Sequence, residues 1–157
     1  MLNITILSVG KIKKDYFFQA MEEYLKRIKP YVVLKNEELK AEPFFDNSDR
    51  VKIKEKEGER ITNFLEKFPQ SKVFILDESG KNFKSTEFSE ILFKYEAESI
   101  ILVIGGTLGL SANVLSYKNS IKLSLSAMTL PHELARVILL EQIYRAIAIN
   151  KNKSYHY

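Results

Sequence analysis

Two charged pairs and an aromatic tail in the last third of the chain have the residue types and spacing for chemistry. Glu141 and Arg145 stand four apart, as do His132 and Arg136, so each pair shares one face of a helix. Around them Leu134, Val137, Ile138, Leu139, Leu140, Ile143 and Ile147 make that helix apolar on nearly every side. Such a helix is buried, and in a chain this small the pattern implies packing against a second copy. A charge there is costly unless paired. Glu141 and Arg145 therefore read either as a satisfied ion pair or as an arginine steadied to hold an anionic oxygen or phosphate. Beyond the helix, Lys151, Lys153, Tyr155, His156 and Tyr157 mix cations and aromatics suited to phosphate contact and base stacking.

Two apolar runs upstream end where a ligand could meet them. Ile100-Ile101-Leu102-Val103-Ile104 stops at Gly105-Gly106-Thr107-Leu108-Gly109. Glycines at a strand exit either make a tight turn or let the backbone approach a ligand. The spacing is not that of a dinucleotide fingerprint, and no acidic residue follows at the distance such a site needs. The second run leads into Leu125-Ser126-Ala127-Met128-Thr129-Leu130, expected to be extended, with Pro131 in the first turn of a helix. A row of backbone N–H and C=O groups there would suit the edge of an adenine between apolar walls from Leu125, Met128 and Leu130. A strand, a loop and a helix start account for the same residues.

The rest of the chain must position these groups. Apolar, β-branched residues 2–9 predict a buried strand, and the spacing of Tyr16, Phe17, Ala20, Met21, Tyr24, Leu25 and Ile28 predicts an amphipathic helix stopped by Pro30. Residues 31–39 predict a second strand, residues 41–45 a loop, and Asn47 or Ser48 the cap of a helix carrying Ile53, Ile61, Phe64 and Leu65. Gly58 in that helix permits a close approach by another backbone. Residues 72–76 predict a short strand closed by the turn Asp77-Glu78-Ser79-Gly80, with Asp77 and Glu78 where a ligand could reach them. Ser85 is expected to cap the next helix, which buries Phe88, Ile91, Leu92 and Tyr95. Alternating strands and helices give one α/β domain over residues 1–157, a mainly parallel sheet with helices on both faces. The 157 residues include no cysteine, which excludes disulfides and thiolate chemistry. There is no secretory signal pattern and no run long enough to span a membrane, so a cytoplasmic protein is expected. A net charge of +4 favours a polyanionic partner only weakly.

A longer pattern carries more. The run Leu123-Ser124-Leu125-Ser126-Ala127-Met128-Thr129-Leu130-Pro131-His132-Glu133-Leu134-Ala135-Arg136, then Leu140-Glu141-Gln142-Ile143-Tyr144-Arg145-Ala146, then Tyr155-His156, resembles the RlmH family of SPOUT-class methyltransferases. Residues 4–11 and the Ile104-Gly105-Gly106 turn resemble it too. The resemblance implies an α/β fold with a C-terminal trefoil knot and S-adenosylmethionine as cofactor, with no metal. The cofactor contacts would fall on Leu76, Gly105, Leu125, Ser126, Ala127, Met128, Thr129 and Leu130. It implies a homodimer in which one subunit's tail completes the other's site. The reaction would be methylation of N3 of a pseudouridine in large-subunit ribosomal RNA, on the assembled ribosome. Arg145 and His156 would then steer and stabilise the reacting base, Glu141 would orient Arg145, Tyr155 would stack or hydrogen-bond, and His132 would be a further candidate. A non-catalytic ribosome-binding or assembly factor of the same fold is the alternative, and a nucleotide-binding α/β enzyme is what the residues alone allow. At the end the chain departs from the family pattern: Tyr157 follows His156 where a cation is common, and Lys151 or Lys153 would have to take its part.

Overall fold

The computed structural model describes residues 1–155. Five strands, β1 (Asn3–Val9), β2 (Val33–Leu39), β3 (Lys72–Asn82), β4 (Ser99–Ile104) and β5 (Ile121–Ser124), form one parallel sheet in the order β2-β1-β4-β3-β5. The helices are α1 (Asp15–Ile28), α2 (Arg50–Leu65), α3 (Ser85–Lys94), α4 (Ala112–Leu115) and α5 (His132–Asn150). Side chains alternate across a strand, and the central strands are apolar at both parities. Ile4, Ile6, Phe74, Ile100 and Leu102 pack with Met21 and Ile28 of α1, Phe88 and Leu92 of α3, and Leu139, Leu140 and Ile143 of α5. Leu7, Val9, Val73, Ile75, Ile101 and Val103 face the other way, onto Ile61 and Leu65 of α2 and Val114 of α4. The expected three-layer α/β architecture is what forms.

Five local expectations are corrected. Residues 77–80 do not end a strand: β3 bulges there and returns, so that Leu76 and Lys81 both pair with Leu123. The Asp77 carboxylate closes the bulge by accepting from the Ser79 N–H at 3.0 Å, and a Cβ on Gly80 would lie 2.8 Å from the backbone of Lys122 and Leu123. The helix expected to start at Asn47 or Ser48 starts after Asp49, whose side chain makes no capping hydrogen bond, and Asp46 caps the turn before it. That short 3-10 turn spans Asn47–Asp49, and the Asp46 side chain accepts from the Ser48 N–H at 3.3 Å. Ser85 is inside α3; the Glu87 carboxylate accepts from the Lys84 N–H at 2.8 Å, and the Ser85 hydroxyl instead donates to Gln142 of α5 at 2.9 Å. Pro131 sits just before α5 with extended ψ, one place earlier than expected. At Gly58 the close neighbour is a side chain, Ser111 at the start of α4, whose Oγ leaves no room for an added Cβ.

The direction of α5 sets the geometry of everything functional. At its start the Glu133 carboxylate accepts from the N–H groups of Lys13 and Lys14, just past the carboxyl end of β1. Beyond its end Lys151 and Lys153 lie over the Tyr31 ring, before β2 begins. The helix therefore runs antiparallel to the strands, from the carboxyl edge of the sheet to the amino edge, between α1 and α3.

Candidate functional site

Three neighbouring strands, β4, β3 and β5, deliver the first group of residues to the carboxyl edge of the sheet. Gly105 is buried directly after β4, and a Cβ on it would lie 2.9 Å from Leu110. The turn closes through Gly109, at φ +81°, whose N–H donates to the Gly106 carbonyl at 3.0 Å. Leu76 is half-buried at the entry to the β3 bulge. Residues 125–130 leave β5 as an irregular loop pinned by side chains. The Ser124 hydroxyl donates to the Ser126 carbonyl (2.9 Å), Ser126 Oγ accepts from the Met128 N–H (2.9 Å), and Asn82 donates to the Ser124 carbonyl (3.1 Å). From the bulge Glu78 accepts the Thr129 hydroxyl at 2.5 Å. Glu78 thus braces the loop, and Asp77 its own bulge, where both were expected to face a ligand. The loop leaves Ala127, Met128 and Thr129 exposed, with Leu125 and Leu130 half-buried. The loop thus presents fixed backbone between apolar side chains at the carboxyl edge of the sheet, on the same edge as the glycine turn.

The second group gathers halfway down α5. Arg145 donates from Nε (2.9 Å) and Nη2 (2.6 Å) to a single oxygen of Glu141, whose other oxygen accepts from Gln142 (2.6 Å). Donating these hydrogen bonds to Glu141 raises the Arg145 pKa above its ordinary value. Tyr155 folds back so that its ring lies 4.9 Å from the Arg145 guanidinium carbon and 4.7 Å, edge-on, from Tyr144. Its hydroxyl stands 3.3 Å from Glu141, and burial, with a hydrogen bond to Tyr24, pushes its pKa up to about 12. It is a proton donor, not a base, at neutral pH. His156 lies outside the described residues. Within one chain the two groups are not brought together. Arg145 is 13 residues beyond His132, about 20 Å along the helix axis at 1.5 Å per residue.

Arg136 is the residue that spacing misjudged. Its side chain is 1% exposed, donating from Nη1 to Glu38 (3.0 Å) and from Nη2 to the carbonyls of Val9 (3.1 Å) and Gly10 (2.5 Å). Burial lowers its pKa, against the opposing pull of Glu38. It ties α5 to the ends of β1 and β2 and is not paired with His132. His132, half-buried, is held below its ordinary pKa by burial and by Arg136, so it is neutral at pH 7. It borders a cavity of about 530 Å³ that opens at the same edge of the sheet, beside Gly106, Thr107 and Leu108.

A family model described as "Predicted SPOUT methyltransferase" matches residues 2–156. The chain belongs to the SPOUT methyltransferase family. It is 45% identical to a protein of Clostridium novyi, 43% to one of Carboxydothermus hydrogenoformans and 42% to one of Bacillus cytotoxicus, each over 99% of both chains. All three carry the name ribosomal RNA large subunit methyltransferase H. The residue that sequence reasoning passed over is Glu57, buried against Gly106. In the sequence it is one of several acidic residues in a Lys- and Glu-rich helix, and only the fold turns it inward.

Proposed function

We propose that this protein uses S-adenosylmethionine to methylate N3 of a pseudouridine in large-subunit ribosomal RNA, on the assembled ribosome. The observation that carries the reading is the pinned loop at residues 125–130 beside Gly105, in a chain whose relatives are named for large-subunit ribosomal RNA methylation. The working unit is a homodimer. Along α5, Leu134, Ile138, Glu141, Arg145 and Ile149 are only half-buried and recur at helical spacing on a face that neither α1 nor α3 covers completely. Two such helices crossing antiparallel near Ile138 set Arg145 of one subunit opposite the start of α5 in the other, where the loop and His132 lie. The 20 Å gap within one chain is thereby closed between two. The family's trefoil knot belongs to this reading, with residues 125–130 braced by the β3 bulge.

S-adenosylmethionine supplies an electrophilic methyl group, so no metal is required and alignment is a large part of the work. Residues 125–130, Leu76 and Gly105 hold the donor, with its flat ring against the main chain. Arg145, oriented by Glu141, stabilises negative charge that develops on the base as N3 loses its proton. Tyr155, kept protonated, donates a hydrogen bond and offers a stacking face. His156 joins Arg145 in steering the base, and His132, neutral at pH 7, can accept a proton. Mass mapping of ribosomal RNA, before and after this protein is added to ribosomes that lack the modification, tests the reading. One added methyl on a pseudouridine of the large subunit is expected, and an unchanged RNA rejects it.

A further inference from the structure

The cavity next to the glycine turn is built around a carboxylate that the reaction above does not use. It lies between the ends of β1 and β2, the loop at residues 41–46, α2 and residues 106–108, with Val9, Leu39 and Ile53 among its apolar walls. Its volume, about 530 Å³, is in the range of small-molecule sites. Glu57 is 5% exposed. Its Oε1 accepts from the Glu42 N–H at 3.0 Å, whereas Oε2 has no hydrogen-bond partner among the described residues. That oxygen is 3.0 Å from where a Cβ on Gly106 would stand, so the carboxylate rests against the turn. Burial raises its pKa, as expected for an acceptor short of donors. Leaving a buried acceptor unsatisfied is costly, and holding the Glu42 N–H needs only one of the two oxygens.

The mouth of the cavity has a different chemistry. Lys11, Lys13 and Lys40 are exposed on its rim, and Phe44 (45% exposed) and Phe45 (93% exposed) stand on the adjoining loop. From inside outward the order is one unpaired acceptor, apolar walls, aromatic faces and ammonium groups. A nucleotide turned out of an RNA strand presents the matching order: base edge, base face and phosphates. Pseudouridine is joined to its ribose through carbon, so N1 keeps a hydrogen that uridine lacks. A site that buries an acceptor for such an N–H discriminates strongly against an analogue without it.

We propose that this cavity receives the target base and that Glu57 Oε2 accepts the N1–H of pseudouridine, the contact that separates it from uridine. The inference rests on the function proposed above. Gly105 belongs to the donor site and Gly106 to the cavity, so base and donor share the glycine turn as a wall. N1 and N3 are separated by one ring carbon, so a bond at N1 fixes the direction in which N3 points. The start of α5, where the partner's Arg145 would approach, borders the same cavity through His132.

The test compares methylation rates on two ribosome preparations, one with pseudouridine and one with uridine at the target position. Wild-type protein is expected to favour pseudouridine. In Glu57→Gln the amide oxygen stays on the Glu42 N–H, which turns the NH₂ group toward the base and against N1–H. The variant should lose at least tenfold in kcat/KM on pseudouridine and less on uridine, so the preference collapses while donor affinity is retained. Ala41→Trp, on the exposed loop, should block methylation of both substrates at unchanged melting temperature and donor affinity, without touching the buried carboxylate. A Glu57→Gln variant that keeps the wild-type preference, or wild-type protein without one, overturns the contact; full turnover by Ala41→Trp overturns the placement of the base. Wild-type protein that methylates neither preparation overturns the function reading itself.

Discussion

Arg145 and Arg136 occupy one helix with an acidic partner each, yet they are held in opposite ways. Arg136 is buried and donates to two main-chain carbonyls as well as Glu38. Arg136→Ala should cost about 3–5 kcal/mol of stability, since it strips buried acceptors of their donor. Arg145 is a quarter exposed in its side chain and spends two donors on one carboxylate oxygen. Its surface ion pair contributes less than about 1 kcal/mol. Arg145→Ala should lower methylation about 10²–10³-fold and leave donor affinity within a few-fold. Denaturant unfolding and methyl incorporation on both variants would separate the two roles; an unstable Arg145→Ala protein would mark Arg145 as structural. His132 adds a pH signature. Its folded pKa lies below 6.5, so the unfolded state binds the proton more readily, and stability falls as pH drops below about 6.5. Burial and Arg136 cause the shift, Lys13 adds to it, and Glu133 opposes it. His132→Gln should flatten that acid limb, as thermal melts between pH 5 and about 7.5 would reveal.

The bulge of β3 shows how one element governs a site it does not belong to. Gly80 passes the backbone of β5 with no room for a Cβ, and Glu78 holds Thr129 in the loop beyond. Gly80→Val should push β5 outward, cost about 1–3 kcal/mol as an overpacked contact, and weaken S-adenosylmethionine binding more than tenfold. Calorimetry with the donor checks this, and unchanged affinity would free the loop from the bulge. The sequence showed the turn chemistry of Asp77, Ser79 and Gly80, which is local, and missed the return to the ladder. That return depends on Leu123, over 40 residues away, pairing twice. The caps were misplaced for a similar reason: Ser85 has the right type for a cap but is claimed by Gln142 of a helix far along the chain.

At the scale of the whole molecule, the site is divided by the direction of α5. If two subunits rejoin it, Ile138→Asp should give a monomer by sedimentation and lose methylation with the fold intact. Mixing inactive Arg145→Ala protein with inactive Gly80→Val protein should restore activity, because a mixed dimer carries one site with neither defect. No recovery from a mixture shown to exchange subunits would place each site within a single chain.

Much of this protein was determined by sequence alone. Strands apolar at both parities, separated by helical periods, require a parallel sheet covered on both faces. Spacing of four put Glu141 beside Arg145, and the run from Leu123 to Arg136 carried the family likeness. These signals are local, reaching no further than a few turns of helix or a few residues of strand. Tertiary structure decided where the groups stand relative to one another. It put Arg136 under the ends of β1 and β2, turned Glu57 inward against Gly106, and set Arg145, with Tyr155 folded onto it, about 20 Å along α5 from His132. Burial of Glu57 needs α2, the residue 41–46 loop and the glycine turn all at once, and no periodicity in one stretch of chain encodes that meeting.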